Sequence, residues 1–380
     1  MTALAAIVFW LSALAIVYTH VGYPVVLWLL VRVRGMRTGL EPAIPTPAEL
    51  PTVSLIVPAY DEEEVIAEKV ANSLALDYPR ELLQVIVASD GSSDATAERA
   101  RAAGAGLVLE LPPGGKVAAL NAGAEQAAGE VLAFSDANSV WARDALRRLV
   151  APFSDPGVGY VCGQVRFTNT EGDNLEGAYW RYEMAVREME SELAGVTAGN
   201  GAIYAVRRGA YLPLPATASH DLSFPFLLAK HRLRSLYEPA ARAEEKMVPS
   251  LEGEFARKRR MMVGLWDIVV GEGMIAPRRY PSLFAFEIVS HRLLRYASPF
   301  LHVLVFLANL ALLGSGWFYW LTFLAQLALL GAAVLAPHVD FAPLRFARYY
   351  VMTTASIAAG LWDRFRRGST GRWEKAAGTR

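Results

Sequence analysis

Cysteine is almost absent. Cys162 stands alone among 380 residues, which excludes an internal disulfide framework and any multi-cysteine metal site. Inside an apolar run it reads as a small buried hydrophobe. Histidine is scarce too: His20, His220, His231, His291, His302 and His338 show no paired ligand spacing, so a soft-metal site is not expected. His20 and His302 read as structural residues of apolar stretches. Net charge is missing, with 37 basic against 37 acidic residues. Nothing therefore points to a polyanionic partner, and no nucleic acid is expected. Repeats and low-complexity tracts are absent apart from a proline-rich stretch at Thr38–Pro51.

Charge is also missing locally. Met1–Val31 and Tyr296–Val339 contain no Asp, Glu, Lys or Arg. A bilayer core needs about 20 apolar residues per helix, so the first stretch holds one span and the second two, broken at Gly314-Ser315-Gly316. A cleaved signal peptide fits the N-terminus poorly: it has no basic n-region, too long an apolar run and no clear cleavage site. Arg32, Arg34 and Arg37 follow the first span, and Arg278, Arg279, Arg292 and Arg295 precede the second. The positive-inside rule puts both flanks, and everything between them, in the cytoplasm. Tyr280–Leu294 is amphipathic and suits the inner surface. Tyr349–Trp362 is only 14 uncharged residues. As a span it would carry the basic tail outside, so a dipping helix, a surface helix and a shallow fourth span all stay open. The expected division is a spanning helix at 1–33, a linker at 34–51, a globular domain at 52–272, an interfacial helix at 273–294, membrane segments at 295–363 and a basic tail at 364–380.

The middle of the chain alternates strands and helices. Val53–Ala59, Leu83–Ser89, Leu107–Leu111 and Val131–Ser135 are apolar runs of buried-strand type, separated by helical patterns at Glu62–Leu76, Asp94–Ala103 and Ala118–Ala127. That order implies an α/β fold with a mostly parallel sheet covered on both faces. Ligands of such sheets bind beyond the carboxyl ends of the strands. There the sequence places Asp61 and Glu62, then Asp90 and Asp94, then Asp136 and Asn138. One such acid is an ordinary solvated loop residue; three along one rim suit a hard divalent cation, which takes one or two carboxylates plus phosphate oxygens and water. Asp136 offers a charged oxygen and Asn138 a neutral one. No phosphate-binding glycine loop is present: Gly114-Gly115-Lys116-Val117 lacks the glycine spacing and the hydroxyl of G-x-x-x-x-G-K-[ST], and no G-x-G-x-x-G follows the first strand. A nucleotide would then depend on carboxylates, metal and Lys116.

The motifs "VPAYDEE" (57–63), "ASDGSSDAT" (88–96), "GGKVAALNAG" (114–123), "FSDAN" (134–138), "TAGNGAIYAVRR" (197–208), "SHDLSFPFLL" (219–228) and "EFARKRRMMVG" (254–264) together resemble the membrane-bound, inverting family-2 glycosyltransferases of GT-A fold, similar to cellulose, hyaluronan and poly-N-acetylglucosamine synthases. The likeness covers Val53–Gly264 and is specific for reaction type, not for substrate. It implies nucleotide-sugar binding by Asp61, Glu63, Asp90, Lys116 and Asp136, with Arg257 and Arg260 as a second clamp on the diphosphate. It implies Asp136 and Asn138 as ligands of Mg2+ or Mn2+, Asp221 as catalytic base, and Asn200, Gly201 and Met261 near the acceptor. The sequence departs from the family at Asn138 for the second Asp of D-x-D, at His220 before the base, and at Arg257-x-x-Arg260-Met261, where the Gln and Trp of Q-x-x-R-W are lost. The last change puts long processive synthesis in doubt.

The implied activity is transfer of a sugar from a UDP-hexose or UDP-N-acetylhexosamine to a polysaccharide or glycolipid at the inner membrane, with lipid and export or co-synthase subunits as further partners. Three rivals remain. One is single-sugar transfer to a lipid such as polyprenyl phosphate. Another is a catalytically dead nucleotide-sugar-binding subunit of an export complex. The third, a transporter, is weakened by the lack of intramembrane carboxylates. Asp221 also reads as a helix cap, and Arg257–Arg260 as a lipid-facing basic surface.

Overall fold

The computed structural model describes residues 2–34, 49–167, 174–246 and 251–368. Most of the expected 34–51 linker, and the tail beyond residue 368, lie outside the described residues.

The chain begins with helices α1 (Thr2–Val17) and α2 (Tyr23–Val33), joined through a π-turn at Tyr18–Gly22. The α/β unit follows as β1 (Val53–Ala59), α3 (Ile66–Leu74), β2 (Leu83–Asp90), α4 (Thr96–Ala102), β3 (Leu107–Leu111), α5 (Lys116–Glu125) and β4 (Val131–Phe134). It continues with β5 (Val140–Trp141), α6 (Ala145–Val150), β6 (Val158–Phe167), α7 (Asn174–Leu193), β7 (Tyr204–Arg207), α8 (His220–Lys230), β8 (Arg234–Glu245) and α9 (Leu251–Trp266). The remaining helices are α10 (Ser282–Glu287), α11 (Leu294–Ala311), α12 (Trp317–Leu335) and α13 (Ala342–Arg367).

One eight-stranded sheet runs in the order β3-β2-β1-β4-β7-β6-β8-β5. Its first half is parallel, with Leu55 opposite Val85 and Ala133. β7 is antiparallel to both β4 and β6, while β8 is parallel to β6. Two reversals cancel, so β8 points the same way as β1, β2 and β4, and its carboxyl end shares their rim. The continuous apolar runs have their cause here: all seven residues of β1 are buried, because helices cover both faces. Leu55 and Val57 pack beneath α3 and α6, whereas Ile56 packs with Leu120 of α5 and Phe224 of α8. α5 lies so close to β1 that a Cβ on Gly123 would come within 2.5 Å of Ile56 Cγ2.

α3 buries one stripe: Ile66, Lys69, Val70 and Ser73. That is the i, i+3, i+4, i+7 pattern of a core-facing helix, with a lysine at one apolar position.

Three helical stretches are long and apolar enough to cross a membrane: Thr2–Val33, Ser282–Ala311 and Trp317–Leu335. Phe9 of α1 packs with Val305, Ala308 and Leu312 of α11 and its continuation. The short apolar run near the C-terminus is the middle of α13, a helix of 26 residues lying along α9. Arg259 bonds Asp363 through two nitrogens at 2.5 and 2.7 Å, and Arg364 does the same to Asp267. At Gly360 the helices come so close that a Cβ would lie 2.4 Å from that of Met262.

Candidate active site

The acid rim is built from loops that brace one another. Asp61, two residues beyond β1, lies in the left-handed region at φ +49°; its carboxylate accepts the Ser93 N–H at 2.7 Å, and its own N–H donates to Ser92 Oγ. Glu63 turns towards α4, accepting the Ala95 N–H at 3.3 Å and facing Arg99 at 3.6 Å. Asp90, at the end of β2 and 3% exposed, accepts the N–H groups of Gly114 and Gly115 at 2.7 and 2.8 Å. Gly115 has φ +91°, a conformation glycine adopts without the cost a Cβ imposes. Asp90 thus fixes the turn that starts α5, and with it the base of Lys116.

Lys116 forms an ion pair with Asp136, just beyond the tip of β4. Burial works against the lysine's charge, yet Asp136, Asp221 and Glu245 more than offset it, and its pKa rises above the ordinary lysine value. Asp136 opens a tight turn, its carbonyl accepting the Ser139 N–H at 3.2 Å, and Asn138 is half-buried in that turn. Gly201 closes over the pair: a Cβ there would lie 3.4 Å from Lys116 Nζ and 3.5 Å from Asp136 Oδ2. Asn200 is occupied elsewhere, donating to the Gly163 carbonyl at 2.7 Å and accepting the Ile203 N–H at 3.0 Å. It braces the loop on which Gly201 sits.

Asp221 lies inside the first turn of α8, not at its cap, which is Ser219. The Ser219 hydroxyl donates to its carboxylate, and its backbone carbonyl accepts the Gly199 N–H at 2.7 Å. A carboxylate in this turn meets the positive end of the helix dipole. The Asp221 charge reaches both Lys116 and Tyr296 of α11. His220 points the other way, 4% exposed among Phe134, Tyr204, Tyr211 and Phe224. Its Nδ1 pairs with Tyr204 Oη at 3.0 Å. Burial, with Lys116 adding to it, pushes its pKa down to about 3, so the ring is a neutral packing element.

Arg257 bears electrostatically on Glu245 and donates to Met261 Sδ at 3.6 Å. Arg260 and Met261 are exposed on the same helix.

Two residues that the sequence did not single out belong to this site. Glu245 ends β8 on the shared rim; burial first, and then the Asp136 charge, push its pKa up to about 7. The signal was present in the paired acids ending "RSLYEPAARAEE". Lys69, 2% exposed, donates to the Ser139 carbonyl at 2.8 Å and stands over the Trp141 ring at 5.2 Å. Burial lowers its pKa to about 7, against the pull of Asp136 and Glu245. Asn72, also on α3, grips Trp141 through both backbone N–H and C=O at 2.9 Å. The turn from Asp136 to Ser139 and the strand after it thus rest on α3.

Among the described residues, no three His, Cys, Asp or Glu side chains form a ready metal cage. The donor set still fits a hard cation: Asp136 keeps 28% of its side-chain exposure, Asn138 follows two residues on, and one or two carboxylates suffice when phosphate and water complete the shell.

A parallel strand array with acids along its carboxyl rim, closed by a mixed second half, is the GT-A fold. Residues 54–211 match the family described as Glycosyl transferase family 2, and the chain carries a glycosyltransferase domain of that family. Glycosyltransferase AglE of Haloferax volcanii is 35% identical over 135 residues, 34% of this chain and 44% of that protein. Beta-monoglucosyldiacylglycerol synthase of Trichormus variabilis is 30% identical over 250 residues, 59% of this chain and 53% of that one. The chain therefore spans about half the length of these curated relatives. The solved mannosyltransferase PcManGT of Pyrobaculum calidifontis, in complex with GDP-Man and Mn2+, superposes with a TM-score of 0.72 at 26% identity, over 94% of this chain and 99% of that one.

Proposed function

We propose that the protein transfers a sugar from a nucleotide sugar to a polysaccharide or glycolipid acceptor at the membrane, with inversion at the anomeric carbon. The observation that carries this reading is the Lys116–Asp136 ion pair at the tip of β4, on whose lysine the Asp221 charge also acts. Asp136, with Asn138, is the seat for Mg2+ or Mn2+, which when bound supplies Lewis-acid stabilisation of charge on the departing diphosphate. Lys116 and Arg257 add positive charge on the same side, with Arg260 one turn further along α9. Asp61, Glu63 and Asp90 line the nucleotide end of the rim, Asp90 by holding the Gly114-Gly115 turn. Asp221 takes the proton of the acceptor hydroxyl as it attacks. Such a positioned base contributes roughly 10²–10⁴-fold. A base on the acceptor side and a metal on the diphosphate side are what in-line displacement, and hence inversion, requires.

The basic residues flanking the apolar helices suggest a cytoplasmic domain, with the acceptor presented from the lipid side. Met261 in place of the family's Trp, and its exposed position, favour short products, down to a single sugar on a lipid acceptor. The test is a panel of UDP-glucose, UDP-galactose, UDP-N-acetylglucosamine and GDP-mannose with the detergent-solubilised protein, Mg2+ or Mn2+ and membrane lipid extract. Product mass then separates polymer from single-sugar lipid. No diphosphate release with any donor, under conditions where the protein is folded, overturns the reading.

A further inference from the structure

We propose that Lys116 is a resident cation on Asp136 that must leave before a divalent metal binds, so that metal and diphosphate bind as a coupled pair. This deepens the reading of the pocket given above and rests on it.

Lys116 pairs with Asp136 at the tip of β4, and Glu245 and Lys69 bear electrostatically on the same carboxylate. The two lysines differ in freedom. Lys69 is 2% exposed and tied to the Ser139 carbonyl, so it cannot move without breaking the turn. The Lys116 side chain keeps 37% of its exposure, on a flexible four-carbon stem. Gly201 leaves space beside both Lys116 Nζ and Asp136 Oδ2, and a side chain there would fill it. A divalent cation on Asp136 and an ammonium on the same carboxylate would be like charges within a few ångströms, a strongly repulsive arrangement. Lys69 is locked, so Lys116 is the group that swings. Swinging costs it the Asp136 pairing, and a diphosphate offers a new charge-assisted partner. The phosphate draws Lys116 away and frees Asp136 for the metal; the metal releases Lys116 for the phosphate. Thermodynamic linkage makes the two effects equal in size.

The test uses the full chain in detergent and needs no turnover. Mn2+ binding is titrated alone and with UDP or GDP, in wild type, Lys116→Met, Lys116→Gln and Lys116→Arg, with thermal unfolding to confirm each fold. In wild type the nucleotide should tighten Mn2+ binding roughly 10-fold or more, within the usual 5–150-fold range of coupling. Lys116→Met and Lys116→Gln should bind Mn2+ alone about 10-fold tighter than wild type, by loss of the repulsion, with the nucleotide effect smaller than in wild type by about the same factor and the part due to phosphate oxygens on the metal remaining. Lys116→Arg should keep the coupling. Equal or weaker Mn2+ binding in both neutral variants, or undiminished coupling, overturns the proposal and leaves the pocket reading standing. A wild type that binds neither nucleotide with Mn2+ overturns both.

Discussion

Asp136 beyond β4 and Lys116 at the first residue of α5 are paired across the mouth of the acid rim. The charge of Asp221 on α8 also acts on this lysine, so one ammonium feels two carboxylates distant in the chain. Expectations about catalysis, nucleotide binding and stability follow from what surrounds this trio.

Asp221→Asn keeps the shape of the side chain and an oxygen for the Ser219 hydroxyl, but loses the proton acceptor. Turnover should fall by about 10²–10⁴-fold, while UDP or GDP binding with Mn2+ changes by no more than about 2-fold. Steady-state rates beside a nucleotide titration decide it. Unchanged turnover would assign the base elsewhere.

Gly201→Ala places its methyl in ordinary contact with Lys116 and Asp136 and should be tolerated. Gly201→Val adds two methyls where those groups and the diphosphate must meet. Nucleotide binding with Mn2+ should weaken about 10-fold or more, since displaced polar contacts cost about 1–3 kcal/mol. Similar melting temperatures for wild type and variant would assign the loss to the pocket.

His220 gives a pH signature. Its folded pKa of about 3 lies below the ordinary 6.5, so the unfolded chain binds more protons between these values. The contribution is fully present above about pH 6.5 and is lost as pH falls towards 3, at about 1.4 kcal/mol per unit. His220→Phe removes that proton site and leaves the Tyr204 hydroxyl without its partner. The variant should melt lower than wild type at pH 8, by about 1–3 kcal/mol, yet lose less stability between pH 6.5 and 5. Parallel acid losses in melting curves would refute the assignment.

Asn72→Ala strips two bonds from the backbone of Trp141, which is 2% exposed. Unsatisfied buried groups cost about 1–3 kcal/mol each, so the melting temperature should drop by several degrees. Because that turn also carries Asp136 and Asn138, Mn2+ binding in the presence of nucleotide should weaken with it.

Much of this arrangement was legible in the sequence, for identifiable reasons. Val53–Ala59 and Leu107–Leu111 are strands over the same residues the apolar runs marked; Val53–Ala59 was plain because a strand buried on both faces leaves no polar alternation to blur its ends. The acids after β1, β2 and β4 stood out because parallel strands bring consecutive carboxyl ends to one rim. β8 reaches that rim only after two reversals of direction, so the paired acids at its end could not be assigned to the rim without the strand pairing. Lys69 sits mid-helix, where a lysine ordinarily faces water, and only the fold turns it inward. Asn200 carried a family resemblance but not its orientation: its amide is consumed by the loop that positions Gly201. Near the C-terminus, hydropathy marked only the uncharged centre of α13. Its charged ends belong to the helix because Asp363 and Arg364 find partners on α9 and the turn after it.

Those pairings give the C-terminal helix a second office. α9, which carries Arg257, Arg260 and Met261, is clasped along its length by α13, from Arg348 on Glu252 to Arg364 on Asp267. The two are tied at both ends and between, so a displacement of α13 is carried to α9. Shortening the chain at residue 341 should then loosen α9: trypsin should cut at Arg257–Arg260 markedly faster than in the intact protein.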